Sequence, residues 1–139
     1  GGSIIATLPV GSVSGMVMNV CAVSQSAGTL TFNIDPSVAG STSATISPDM
    51  QIKCTKNAGV TITSSSACGG GAPRMASGYP PVCGANTIPY TFNFLGSMIG
   101  QGFGGVGTSL GLAGSASSAN YANAPVGNYG DLQTLTITY

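Results

Sequence analysis

The residues with the most reactive chemistry in this chain are its four cysteines, Cys21, Cys54, Cys68 and Cys83. As metal ligands or redox thiols they would be expected in Cys-x-x-Cys pairs or beside histidines. The chain has neither such a pair nor any His, which argues against zinc and against a thioredoxin-like dithiol. An even count at wide spacing points instead to two disulfides formed in an oxidising compartment. Three pairings are open. Cys21–Cys54 with Cys68–Cys83 is preferred, because the second bridge would pin a Gly/Pro-rich loop. Closing such a short loop is worth roughly 3 kcal/mol, and the longer one somewhat more.

Acid–base chemistry has little to work with. There are three Asp, no Glu and no His, so a Ser/His/Asp triad is impossible. A carboxylate pair would need two of Asp35, Asp49 and Asp131 to meet. The segment from Gly102 to Gly107 superficially resembles a phosphate loop but lacks the Lys-Ser/Thr and the helix that would follow. Arg74 reads as a solvated or hydrogen-bonded loop residue. Tyr90, Phe92 and Phe94 read as core rather than as a stacking platform. The chain is therefore expected to be a non-enzyme without metal or cofactor. Tyr79, Tyr121 and Tyr129 leave one ligand-binding alternative, a sugar platform on a secreted carbohydrate-binding or adhesin module.

Charged residues make up 4% of the chain, against about 25% in an average globular domain. Three cations give no basic footprint for nucleic acid. No run of about 18 apolar residues is present, so no membrane-spanning helix is expected. No leader is visible at Gly1-Gly2-Ser3, and the chain reads as a processed, exported form. So few charges fit a surface largely buried between subunits.

Gly, Ser, Thr and Val dominate, and no 3.6-residue periodicity recurs. Short strands are expected at 16–23, 29–34, 43–47, 50–54, 59–64, 88–95, 108–113 and 132–139. The stretch 65–87 reads as a stapled loop and 114–128 as another loop. This spacing predicts a single β-sandwich domain without internal repeats.

The two ends carry most of the functional information. The chain finishes on an alternating strand, with Leu135, Ile137 and Tyr139 facing one way. It starts with another, Ile4-Ile5-Ala6-Thr7-Leu8-Pro9-Val10. A sandwich ending on a core strand is expected to lack its closing strand, and a spare apolar strand at the front would close another copy. Residues 1–14 are thus read as an N-terminal extension and 15–139 as the sandwich; the alternative from the residues alone is that Ile4 to Val10 is this domain's own first strand. The even register of the extension offers Ile4, Ala6, Leu8 and Val10. The odd register offers Ile5, Thr7, Pro9, Gly11, Val13, Gly15 and Val17, which are poorer anchors.

The order of several motifs resembles the spore coat protein U family, which includes the major subunits of archaic chaperone–usher pili. The motifs are Cys21-Ala22-Val23-Ser24, Leu30-Thr31-Phe32, Gln51-Ile52-Lys53-Cys54-Thr55, Arg74-Met75 and the aromatic strand Ile88 to Phe94. The most specific is the ending, Gly127-Asn128-Tyr129-Gly130-Asp131 followed by an alternating strand. The Cys68/Cys83 pair stands outside the family's pattern. The resemblance implies an incomplete immunoglobulin-like β-sandwich completed by a donor strand from a neighbouring subunit. It also implies a periplasmic chaperone and an outer-membrane usher as assembly partners. The product would be an extracellular, cell-surface homopolymeric pilus serving adhesion and biofilm formation. A spore-coat-like structural protein that assembles without long fibres is the other reading the family suggests.

Overall fold

The computed structural model describes residues 2–3, 12 and 14–139. The expected donor residues Ile4, Ala6, Leu8 and Val10 lie outside the described residues. Among the described residues the chain is nearly all β, with one short helix, α1 (Ser118–Tyr121).

The strands are β1 (Cys21–Gln25), β2 (Ser41–Thr45), β3 (Gln51–Cys54), β4 (Gly59–Ser66), β5 (Arg74–Ser77) and β6 (Thr87–Pro89). They continue as β7 (Thr91–Asn93), β8 (Ser97–Ile99), β9 (Thr108–Ser109), β10 (Ala113–Ser117), β11 (Tyr129–Gly130) and β12 (Gln133–Thr138). They form four small antiparallel sheets, ordered β1-β3-β9, β2-β10-β7, β11-β5-β6 and β12-β4-β8. Period-two alternation survives where one face is buried. In β4, Val60, Ile62 and Ser66 are buried between exposed neighbours, and in β12 Gln133, Leu135 and Ile137 turn inward.

Both preferred disulfides are formed. Cys21 and Cys54 are direct partners across β1 and β3, with Cα atoms 4.1 Å apart. Cys68–Cys83 closes the loop before β6, with Cα atoms 5.6 Å apart.

Two apolar clusters form the core. One joins Ile52, Cys54, Val60, Ile62, Leu110 and Leu112. The other joins Met75, Ile88, Tyr90, Ala116 and Tyr121. Phe92 packs against both.

Several expected elements differ. The aromatic strand at 88–95 is two strands divided at Tyr90: β6 pairs with β5, and β7 pairs with β10. Pro89 lacks an amide proton and limits the ladder there. The stretch 65–87 is not only loop, since it contains β5, whose Met75 and Ala76 are buried. Likewise 114–128 contains most of β10 and α1. Small residues hid these pairings, because Ala113 and Gly114 carry little hydrophobic signal yet sit between β2 and β7.

The segment 29–34 departs most from expectation. It keeps its alternation, with Leu30, Phe32 and Ile34 half-buried between exposed residues, yet among the described residues only Thr29 forms a bridge, to Ser47.

Candidate functional site: an open apolar groove

The half-buried side chains of 29–34 face a groove of about 880 Å³. One wall is the segment 27–34, and the other is the stretch from Ala124 to Gln133 and Leu135. The floor crosses both core clusters, from Ile46, Met50 and Leu112 at one end to Met75, Ile88 and Tyr121 at the other. Ala27 and Leu135 pack at the first end, and Ile34 and Tyr129 at the second. The two walls therefore run antiparallel to each other.

Gly114 lets the first wall seat. A Cβ there would lie 2.8 Å from Leu30 Cδ2 and 3.0 Å from Phe32 Cζ. With glycine in place, Leu30 and Phe32 cross over β10 and lean towards Tyr90, whose ring centre is 6.0 Å from that of Phe32.

Among the described residues the second wall has an unused backbone edge: strand β12 stands at the end of its sheet and pairs there only with β4. The Ala67 amide donates to Leu132 O at 2.8 Å, and on the far side of β4 the Ile62 amide donates to Gly96 O at 2.8 Å. Antiparallel ladders alternate the direction of successive residues. The amides and carbonyls of Thr134, Thr136 and Thr138 therefore point to β4, and those of Gln133, Leu135 and Ile137 point to the open edge. Unpaired edge groups of this kind are a template for strand addition.

A polar node interrupts the apolar lining of this wall. Asp131 Oδ2 accepts from Ser66 Oγ at 2.5 Å and from the Tyr90 hydroxyl at 2.5 Å, and Oδ1 accepts from the Cys68 amide at 3.0 Å. Burial, and next the Asp131 carboxylate, push the Tyr90 hydroxyl well above its usual pKa, so it stays a donor. With its O–H directed at Asp131, the Tyr90 oxygen accepts from Gln133 Nε2 at 2.8 Å. That fixes the Gln133 amide orientation and leaves Gln133 Oε1 buried without a partner. Arg74 supports the node from outside through Nε, which donates to Cys68 O at 2.7 Å.

Of the terminal-strand residues singled out from sequence, Leu135 lines the groove and Ile137 packs on the core beside it. Tyr139 follows the end of β12 and is half exposed. Of the tyrosines of the sugar-platform alternative, Tyr79 is half-buried. Tyr121 is buried in the core, and Tyr129 packs against it while donating to Pro125 O at 2.7 Å. The three Asp stay apart, each with its own partners. Asp35 accepts from Ser37, Asp49 from Ser109 and the Leu112 amide, and Asp131 sits in the node. Among the described residues no three potential metal ligands cluster, and no helix is long and apolar enough to cross a membrane.

Sequence reasoning missed Asp131, Gln133 and the Phe32 wall as parts of the site. The signal available was the polar interruption of an otherwise apolar inward face, Tyr129, Asp131, Gln133, Leu135, Ile137. No known family profile and no curated protein matches the chain.

Proposed function

We propose that this chain is a structural, pilin-like subunit. Its groove is filled by the N-terminal segment of a neighbouring copy, and repetition of this contact builds an extracellular fibre. The observation that carries the reading is the groove of about 880 Å³ between two strand-like walls. One wall, 29–34, has the alternation of a strand and almost no ladder. The other, β12, has an edge unused among the described residues.

Filling such a groove is β-augmentation, in which main-chain hydrogen bonds give affinity and alternate side chains give specificity. Burying Ile4, Leu8 and Val10 contributes roughly 1.5–3 kcal/mol each before ordering costs. In this reading the subunit is an immunoglobulin-like β-sandwich short of one strand, completed in trans. A periplasmic chaperone covers the groove until an outer-membrane usher exchanges it for the next subunit, and the fibre serves adhesion and biofilm formation. The two disulfides suit the oxidising compartments through which such a subunit would pass.

Electron microscopy of the full chain beside a chain lacking residues 1–14 tests this. Fibres from the first and none from the second are expected. Stable monomers from both would overturn the proposal.

A further inference from the structure

The two disulfides stand in different surroundings. Cys54 is 1% exposed inside the first core cluster, and Cys21 packs against that cluster from β1. A thiol reaches the Cys54 sulfur only if β1 and β3 part. Cys83, by contrast, is exposed on a surface loop, and Cys68 is half-buried. Thiol–disulfide exchange follows access to a sulfur, and exposed bridges are the ones that open readily.

The Cys68–Cys83 bridge also joins two supports of one stretch of the groove wall, residues 128–132. The first support lies on the Cys68 side. The Cys68 amide donates to Asp131 Oδ1 at 3.0 Å, and the Ala67 amide donates to Leu132 O at 2.8 Å. The second support lies on the Cys83 side. The Gly84 amide donates to Ser77 O at 2.9 Å, and Ser77 and Ala76 of β5 pair with Tyr129 and Gly130 of β11. The loop between the cysteines rests on the wall itself. The Gly78 amide donates to Asn128 O at 3.1 Å, and a side chain at Gly130 would run into Tyr79 O. Residues 128–132 all line the groove.

From this arrangement we propose that Cys68–Cys83 is a redox latch on the groove. Closed, it holds 128–132 in the shape that lines the groove. Opened by a dithiol reductant, it lets that wall loosen. One thiolate of the dithiol attacks the exposed Cys83 sulfur, the Cys83–Cys68 bond breaks, and Cys68 leaves as a thiolate. The second thiolate attacks the reductant's own sulfur in the mixed disulfide and releases Cys83. Two electrons pass to the protein bridge, and the two protons lost by the dithiol end on Cys68 and Cys83. The reductant is left as a disulfide. The latch depends on the shape of the groove and not on what fills it.

Opening is local, because the elements around this stretch have other supports. Strand β12 keeps its ladder to β4 from Gln133 to Thr138, and Cys21–Cys54 keeps β1 on β3. Residues 128–132 have only the two-residue strand β11 and the few hydrogen bonds above. Segments held by so little open without global unfolding. The bridge restrains them by closing a loop whose ends are 15 residues apart in sequence.

The test uses the full chain with both bridges formed. It is exposed to dithiothreitol without denaturant, trapped with iodoacetamide and mapped by mass spectrometry, with amide hydrogen exchange measured on the same samples. Cys68 and Cys83 are expected to be alkylated about tenfold faster than Cys21 and Cys54. Exchange at 66–70 and 128–132 is expected to rise about tenfold, with 59–64 unchanged, and to fall back on reoxidation. Cys68→Ser with Cys83→Ser should show the raised exchange from the start and no response to the dithiol. Opening of both bridges together overturns the latch, since Cys68–Cys83 would then open only with the whole domain. Opening of Cys68–Cys83 with unchanged exchange at 128–132 also overturns it, leaving the bridge a staple of its own loop. A response to the dithiol that persists in the double variant overturns it too.

Discussion

At the scale of single residues, the Tyr90–Asp131–Gln133 node is the feature that most constrains the groove. Its pH behaviour follows from the raised pKa of Tyr90, caused first by burial and then by the adjacent carboxylate. In the unfolded chain Tyr90 ionises near pH ~10. The folded chain holds the proton to higher pH, so the unfolded state binds fewer protons there. Stability from this group is fully present below pH ~10 and is lost as pH rises towards the folded-state value. Chemical denaturation is expected to show a midpoint falling above pH ~10, and Tyr90→Phe should make that fall shallower. An equally steep decline in the variant would remove Tyr90 as its source.

At the scale of elements, the first wall of the groove depends on what β10 does not carry. In Gly114→Val the new side chain meets Leu30 and Phe32 and pushes segment 27–34 outward. The expected cost is about 1–3 kcal/mol by overpacking, read from the denaturant midpoint. The stapled loop behaves differently, because Cys68–Cys83 joins residues 15 apart and also holds the Cys68 amide against Asp131. Replacing both cysteines with Ser, with Cys21–Cys54 intact, is expected to remove about 3 kcal/mol of stability. A loss near zero would mean that the node and β5 hold this loop without the bridge.

At the scale of the whole molecule, low charge, an open groove and exposed apolar residues ahead of β1 fit one account. Surface that looks costly in a single copy is interface in a polymer. The contact would be heterologous, with the N-terminus of one copy in the groove of the next, so it does not close and propagates as a fibre. Leu8→Asp places a charge on the segment proposed to fill the groove, and burying that charge unpaired is prohibitive. The expected outcome is a folded subunit, with circular dichroism like the parent's, that forms no fibres under the electron microscope. Fibres of normal length from this variant would exclude Leu8 from the buried strand.

The sequence by itself determined the all-β class, because Thr/Val/Ile alternation and scarce helix formers leave little else to build. Its preference between disulfide pairings also matches the structure, because Cys21 and Cys54 sit on neighbouring strands and Cys68 and Cys83 flank one loop. Alternation also marked Leu135 and Ile137 as inward-facing. Only the tertiary structure decided which alternating segment has almost no ladder among the described residues. Leu30, Phe32 and Ile34 read as an ordinary strand, since periodicity reports which face is buried and not whether the edge is paired. The strands β5 and β10 were illegible for a related reason: apart from Met75, Arg74 to Ser77 and Ala113 to Ser117 hold small or polar residues whose burial comes from neighbours distant in sequence. The polar node belongs to the same class. Ser66, Tyr90 and Asp131 are up to 65 residues apart, and nothing local in the chain announces that their hydrogen bonds meet.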